Sequence, residues 1–218
     1  MTLLIVNSNT TQGITDLVAA EARRAAGPGT AIRAVTAPFG PAAIETQEDA
    51  RIAGLATLQA LREAAPPVEA AIIACFSDPG LAEARRTLPF PVFGIAEAAM
   101  RRAAALGPRF SILTVAPSTL PGIRATAAQY GFGDRLAGVH ALDQRVLESH
   151  SDPDGTARAM AELAQQVLAA EAPDVLVLGG AVTAGLQRRL AGQVPVPLLE
   201  GLSCALAEAL AACAAPGA

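Results

Sequence analysis

Lysine is absent from this chain; all 16 basic residues are arginine. Without lysine there is no Schiff-base amine, which excludes pyridoxal-phosphate chemistry on this chain. There is equally no phosphate loop of the Walker type, which needs its Lys. Tryptophan is absent too, and with one Tyr and six Phe the chain lacks the aromatic platforms on which single-stranded bases stack. A net charge of -4 offers no basic face to a phosphate backbone, so no nucleic-acid partner is expected. Histidine occurs only as His140 and His150, too few ligands for a structural zinc site, and no metal is expected. Cys75, Cys204 and Cys213 form no CxxC and no even set, so a disulfide framework is not expected and a reducing, cytoplasmic setting is. No apolar run reaches membrane-spanning length. The opening "MTLLIVNSN" turns polar after six residues, which argues against a secretory leader.

What is present is core. Apolar residues make up 52% of the 218-residue chain and charged ones 17%, enough for a sizeable interior built from Ala, Leu, Val and Ile. Short apolar runs alternate with longer segments of helical period, the pattern of α/β folds with parallel sheets. Strands are expected over residues 2–7, 31–37, 69–75 and 91–95, with helices over 13–26, 44–65, 80–88 and 96–106. The pattern then repeats. Strands are expected over 109–115, 135–142, 174–180 and 196–201. Helices are expected over 119–131, 155–172 and 183–192, with a closing helix to about residue 213. "AIIACFSDPGLAEARR" overlays "LVLGGAVTAGLQRRLA" at an offset of 105 residues, which places Cys75 on Gly180. "PVFGI" overlays "PLLEG" at 106, and "LLIVNSNTT" overlays "SILTVAPST" at 108. Nearly constant offsets over ordered blocks indicate a duplication. The expected architecture is two pseudo-symmetric α/β halves, residues 1–106 and 107–218, with the C-terminal helix able to pack across onto the first. In open parallel sheets ligands bind beyond the carboxyl ends of the strands. Two facing halves then form one cleft lined by "NSNTT" and "CFSDPG" on one side and by "VAPST" and "GGAVTAG" on the other.

Cys75 ends its strand just before a helix. Ser77 or Asp78 is placed to cap that helix, with Pro79 at its first position. The free N–H groups and partial positive charge of a helix start favour thiolate, so a lowered Cys75 pKa is expected. "NSNTT" gathers amides and hydroxyls that can hold a carboxylate or phosphate, or simply cap the following helix through Asn9 or Thr10. "LGGAVTAG" is glycine-rich but holds no GxGxxG, so a dinucleotide site is not supported. Cys204 and Cys213 read as packing residues. His140 and His150 lie off the strand-end loops, against a Cys-His hydrolase.

The stretches "NSNTT", "GPAAIET", "ACFSDPGLAEAR", "PVFGIAEAA", "RLAGVHALD" and "LVLGGAVTAGL", in order over nearly the whole chain, resemble the aspartate/glutamate/hydantoin racemase superfamily. The hydantoin and allantoin racemase branch is the nearest. The resemblance implies two flavodoxin-like halves with the active-site cleft between them and no cofactor. It implies a small carboxylate or cyclic-amide substrate, and two thiols that exchange protons on opposite faces of its stereocentre. Cys75 matches the first-half thiol. Asn7, Ser77, Asp78, Thr114 and the Gly180–Ala181 backbone match substrate-holding positions, Phe39 a pocket-shaping one, and Thr183 is placed to orient a water. Where the family carries its second thiol this chain has Gly180, and Ser8 stands where proline is common. The resemblance therefore leaves open a racemase, a single-thiol decarboxylase or isomerase arranged as the mirror of the arylmalonate decarboxylases, and a catalytically silent small-molecule binding protein. Homo-oligomerisation is left open as well.

Overall fold

The apolar runs form parallel strands buried on both faces. In the computed structural model, which describes residues 1–214, β1 (Thr2–Asn7), β2 (Ala31–Thr36), β3 (Ala70–Ile73) and β4 (Val92–Gly94) make one sheet in the order β2-β1-β3-β4. The second sheet repeats that order four strands later: β5 (Phe110–Thr114), β6 (Leu136–Ala141), β7 (Val175–Leu178) and β8 (Leu198–Glu200) run β6-β5-β7-β8. Every pairing is parallel. Leu3 to Val6 and Val175 to Leu178 expose nothing, a burial that requires helices on both faces of each sheet. The fold is thus α/β, in two pseudo-symmetric flavodoxin-like halves.

Nine α-helices cover the sheets: α1 (Gln12–Ala26), α2 (Gln47–Arg62), α3 (Leu81–Thr87), α4 (Ile95–Leu106), α5 (Leu120–Gln129), α6 (Val146–Ser151), α7 (Pro153–Glu171), α8 (Leu186–Arg189) and α9 (Gly201–Ala214), counted among the described residues. Among them no helix is long and apolar enough to cross a membrane. Helices α4 and α9 fill the seam. Helix α4 packs on β7 of the second sheet, and α9 packs on α1, β3 and β4 of the first. Their contact is built from alanine: Ala96, Ala99 and Ala103 on α4 and Ala205 and Ala209 on α9 expose nothing. Small side chains let two helices approach closely. One hydrophobic cluster runs from Leu3, Ile5 and Ile72 through these alanines to Phe110, Ile112 and Val177, so the halves share a core.

The departures from the sequence pattern lie at element ends, and those around the cleft matter most. Strand β3 stops at Ile73, not at Cys75. Helix α2 starts at Gln47 rather than 44, because Thr46 accepts from Asp49 N and the Asp49 carboxylate accepts from Thr46 N in a capping box. The helix expected over 183–192 is a 3-10 turn, Ala181–Thr183, followed by the short α8. Gly185 between them is left-handed, at φ 85. Helix α6 was not expected; a start at Val146 and a stop at Asp152-Pro153 separate it from α7.

Candidate active site

In a 2-1-3-4 parallel sheet the strand order reverses between the first and third strands, and ligand crevices open at that switch. The residues just past β1 and β3 are Ser8-Asn9 and Ala74-Cys75; past β5 and β7 they are Val115 and Gly179-Gly180. These four loops meet in one cleft of about 560 Å³, within the usual size of a small-molecule site. Asn9, Cys75 and Ser77 line it from the first half; Thr114, Gly180 and Ala181 line it from the second.

Cys75 leaves the sheet after Ala74 N donates to the Val6 carbonyl at 2.8 Å. Its Sγ lies 3.4 Å from Ser77 Oγ, and the residue is half-buried in the cleft floor. The lowered pKa expected from sequence is corrected here. Burial pushes the Cys75 thiol up to about 11, more than the Ser77 hydroxyl and N–H pull it down, and the nearby Asp78 carboxylate adds to the rise. The helix thought to favour thiolate starts only at Leu81, behind a left-handed Gly80 at φ 83, and has no side-chain cap. Its free N–H groups therefore belong to a turn several residues past the sulfur. At neutral pH Cys75 rests as a thiol, a proton donor.

Asp78 neither caps that helix nor lines the cleft. Its carboxylate turns to the start of α4, accepting from Ala96 N at 3.0 Å and Glu97 N at 2.8 Å, and from Tyr130 Oη at 2.9 Å. Tyr130 ends α5, so this bond joins the cysteine loop to the opposite half. Asp78 itself is left-handed, at φ 46, a conformation Asp tolerates better than most residues. A side chain on Gly94 would collide with it, the ideal Cβ falling 2.2 Å from the Asp78 carboxyl carbon. Burial outweighs the three donors and raises Asp78 to about 6. Asp78 thus ties the loop that carries Cys75 to α4 and to the second half.

Phe76 makes the second tie. It is buried, at 5% exposure, and its ring edge lies 3.1 Å from where a Cβ on Gly179 would stand. The residue after Cys75 therefore packs against the residue before Gly180, and this contact sets the spacing of the two cleft walls. Gly180 has φ 117 and ψ 146, a region that essentially only glycine occupies. Space is not the reason, because an ideal Cβ there meets nothing closer than 4.0 Å. Backbone geometry is. Thr183 Oγ1 donates to the Gly180 carbonyl at 2.7 Å, locking this turn.

Other expected site residues sit elsewhere. Asn7 exposes nothing; its Nδ2 points to Asn9 Oδ1, Thr11 O and Thr15 Oγ1 at 3.0–3.1 Å, so it builds the loop that presents Asn9. Helix α1 starts after Thr11 without a side-chain cap, so neither Asn9 nor Thr10 caps it. Phe39 is 41% exposed and is not a cleft residue. His140 faces Glu171 at 2.8 Å, away from the cleft. Cys204 packs in α9, and burial raises its thiol as well, to about 11.

Ser118 and Thr119 line the cleft as the "VAPST" loop was expected to, whereas the sequence reading missed Glu45 as a lining residue. Glu45 lies in the loop before α2, a stretch read as helix. Its side chain is 14% exposed, with Oε1 accepting from Val146 N at 3.1 Å and Oε2 3.6 Å from the Arg145 guanidinium. It is the one charged side chain lining the cleft among the described residues.

The model of the family described as Asp/Glu/Hydantoin racemase matches residues 3–209. A hydantoin racemase of Paenarthrobacter aurescens is 30% identical over 216 residues, covering 97% of this chain and 92% of that protein. The solved allantoin racemase of Klebsiella pneumoniae is 36% identical, with a TM-score of 0.90 over 97% of this chain and 86% of its own. Allantoin racemase from Pseudomonas fluorescens is 31% identical, with a TM-score of 0.91 over 97% of this chain and 90% of its own.

Proposed function

Because the chain belongs to the Asp/Glu/hydantoin racemase family, we propose that it is a cofactor-independent racemase. It inverts the acidic stereocentre of a small hydantoin- or allantoin-like cyclic amide, with Cys75 as a thiol acid/base. The observation that carries the reading is the placement of Cys75 and the Gly180–Ala181 turn in one cleft whose walls are fixed by the Phe76–Gly179 contact.

Racemising a carbon acid requires proton transfer on both faces of the carbon and stabilisation of the enolate between them. Cys75 serves one face. The 3-10 turn Ala181–Thr183 opens at the cleft, and the first N–H groups of such a turn have no partner within it. They suit a developing oxyanion. Asn9, Ser77, Thr114, Ser118 and Thr119 supply uncharged donors and acceptors for amide edges. No Arg or His lines the cleft among the described residues, and its one charge is the carboxylate of Glu45. A dicarboxylate such as aspartate would lose its hydration there without a cation to replace it, which favours the neutral ring.

The glycine-only backbone of Gly180 supports a second reading: a one-sided, single-thiol isomerase or decarboxylase of the same superfamily. Enantiopure 5-substituted hydantoins, allantoin and aspartate incubated in deuterated solvent separate the two. A racemase produces the opposite enantiomer carrying deuterium, and does so with the cyclic amides. A one-sided enzyme labels a single enantiomer without inversion. Turnover of aspartate in preference to the rings would overturn the substrate assignment, and labelling without inversion would overturn the racemase.

A further inference from the structure

We infer that Glu45 is the acid/base on the face of the substrate opposite Cys75, standing in for the thiol that Gly180 cannot carry. The inference rests on the racemase reading above. Cys75 belongs to the β3 edge of the first sheet. Glu45 comes from the same half in sequence, but its carboxylate lies against the second: Val146 N donates to Oε1 at 3.1 Å. Val146 itself lines the cleft and opens α6, which packs on the Ala181–Thr183 turn that follows Gly180. Among the described residues, the one ionisable group of the cleft other than Cys75 is therefore held against the second half, to which Gly180 belongs.

The surroundings leave that carboxylate available. It makes one hydrogen bond, to Val146 N. Its other oxygen lies 3.6 Å from Arg145, whose side chain is 76% exposed. A carboxylate has room for about four hydrogen bonds. Gly180, which carries no side chain, lines the same cleft.

The chemistry balances. For the enantiomer whose α-hydrogen faces Glu45, a carboxylate oxygen takes the proton and the C–H electron pair moves onto the ring carbonyl oxygen. The Cys75 S–H then gives its proton to the opposite face as the carbonyl re-forms. Glu45 is left protonated and Cys75 as thiolate, and this pair either runs the reverse inversion or re-equilibrates with water. Neither residue changes oxidation state, and no co-reactant is needed. The resting protonation required, thiol with carboxylate, is the one in which burial holds Cys75.

Glu45→Gln and Cys75→Ser, each offered the two separated enantiomers of a 5-substituted hydantoin in deuterated buffer at pH 9, test the inference. Loss of a positioned acid/base costs about 10²–10⁴-fold, so racemisation falls by at least about 100-fold in both variants. Exchange without inversion persists in one enantiomer for Glu45→Gln and in the other for Cys75→Ser. Glu45→Asp, which keeps the carboxylate, restores part of the racemisation, and circular dichroism reports the fold of each variant. Racemisation by Glu45→Gln within about threefold of wild type overturns the inference. So does exchange surviving in the same enantiomer in both variants, its loss from both enantiomers in Glu45→Gln, or a folded Glu45→Asp as inactive as Glu45→Gln. Wild-type protein that exchanges neither enantiomer overturns the racemase reading, and the inference falls with it.

Discussion

Replacing Asp78 tests how the cysteine loop is held. In Asp78→Ala the Ala96 and Glu97 N–H groups and the Tyr130 hydroxyl lose their acceptor. Ala96 exposes nothing, so water does not replace the carboxylate there. Each buried donor left unpaired costs about 1–3 kcal/mol. The three together amount to about 3–9 kcal/mol, and alanine in the left-handed conformation adds about 1 kcal/mol. Against this, the variant no longer buries a charge. Burial raises Asp78 from 3.8 to about 6, equivalent to about 3 kcal/mol at pH 7. The net expectation is a loss of about 1–7 kcal/mol in urea unfolding at pH 7. The pH dependence carries the sign. Because the folded-state pKa is raised, the folded protein binds the Asp78 proton more tightly than the unfolded chain. The stabilisation is complete below about 3.8 and is lost as pH rises through about 6. Asp78→Asn cannot titrate and flattens that segment of the profile. An Asp78→Ala variant within about 0.5 kcal/mol of wild type, or an Asp78→Asn profile parallel to wild type, would refute the account of this loop.

Three further expectations follow from the same geometry. Alkylation of Cys75 by iodoacetamide, followed against a Cys75→Ala control, should accelerate up to about pH 11; a plateau near neutrality would contradict the burial argument. Gly179→Ala places a methyl 3.1 Å from Phe76 and Ile112, so thermal unfolding should report a loss of about 1–3 kcal/mol together with lowered turnover. An unchanged melting temperature would mean the seam is not tightly packed. Glu200, buried beneath Gly185 N at 2.7 Å, is raised by burial to about 7, so its stabilisation is lost as pH rises from about 4.5 to about 7. Glu200→Gln should remove that slope from melts taken across the interval, and an identical slope would assign the effect to another group.

The strands, the duplication and the pairing of Cys75 with Gly180 were legible because period and spacing are local properties. The partners of the site residues were not. Asp78 sits beside a plausible helix start in sequence, yet its acceptors bind N–H groups of α4 and a tyrosine from the other half. Which helix start a carboxylate meets depends on how the sheet order folds β4 back beside β3. The Cys75 pKa failed for a related reason: proximity to a helix in sequence suggested a helpful dipole, whereas a left-handed Gly80 displaced the helix and burial dominated. Glu45 was hidden because residues 44–65 read as one continuous helix, and only the Thr46–Asp49 capping box shows where α2 starts. The positive φ of Gly180 has no signature beyond glycine itself.

The central claim is that Cys75 moves the proton at the substrate's stereocentre. The most direct measurement is the rate at which an enantiopure 5-substituted hydantoin loses optical rotation with wild type and with Cys75→Ser at matched concentration and fold. The account predicts racemisation by wild type and a fall of at least about 100-fold in the variant. Equal rates for the two proteins would contradict it.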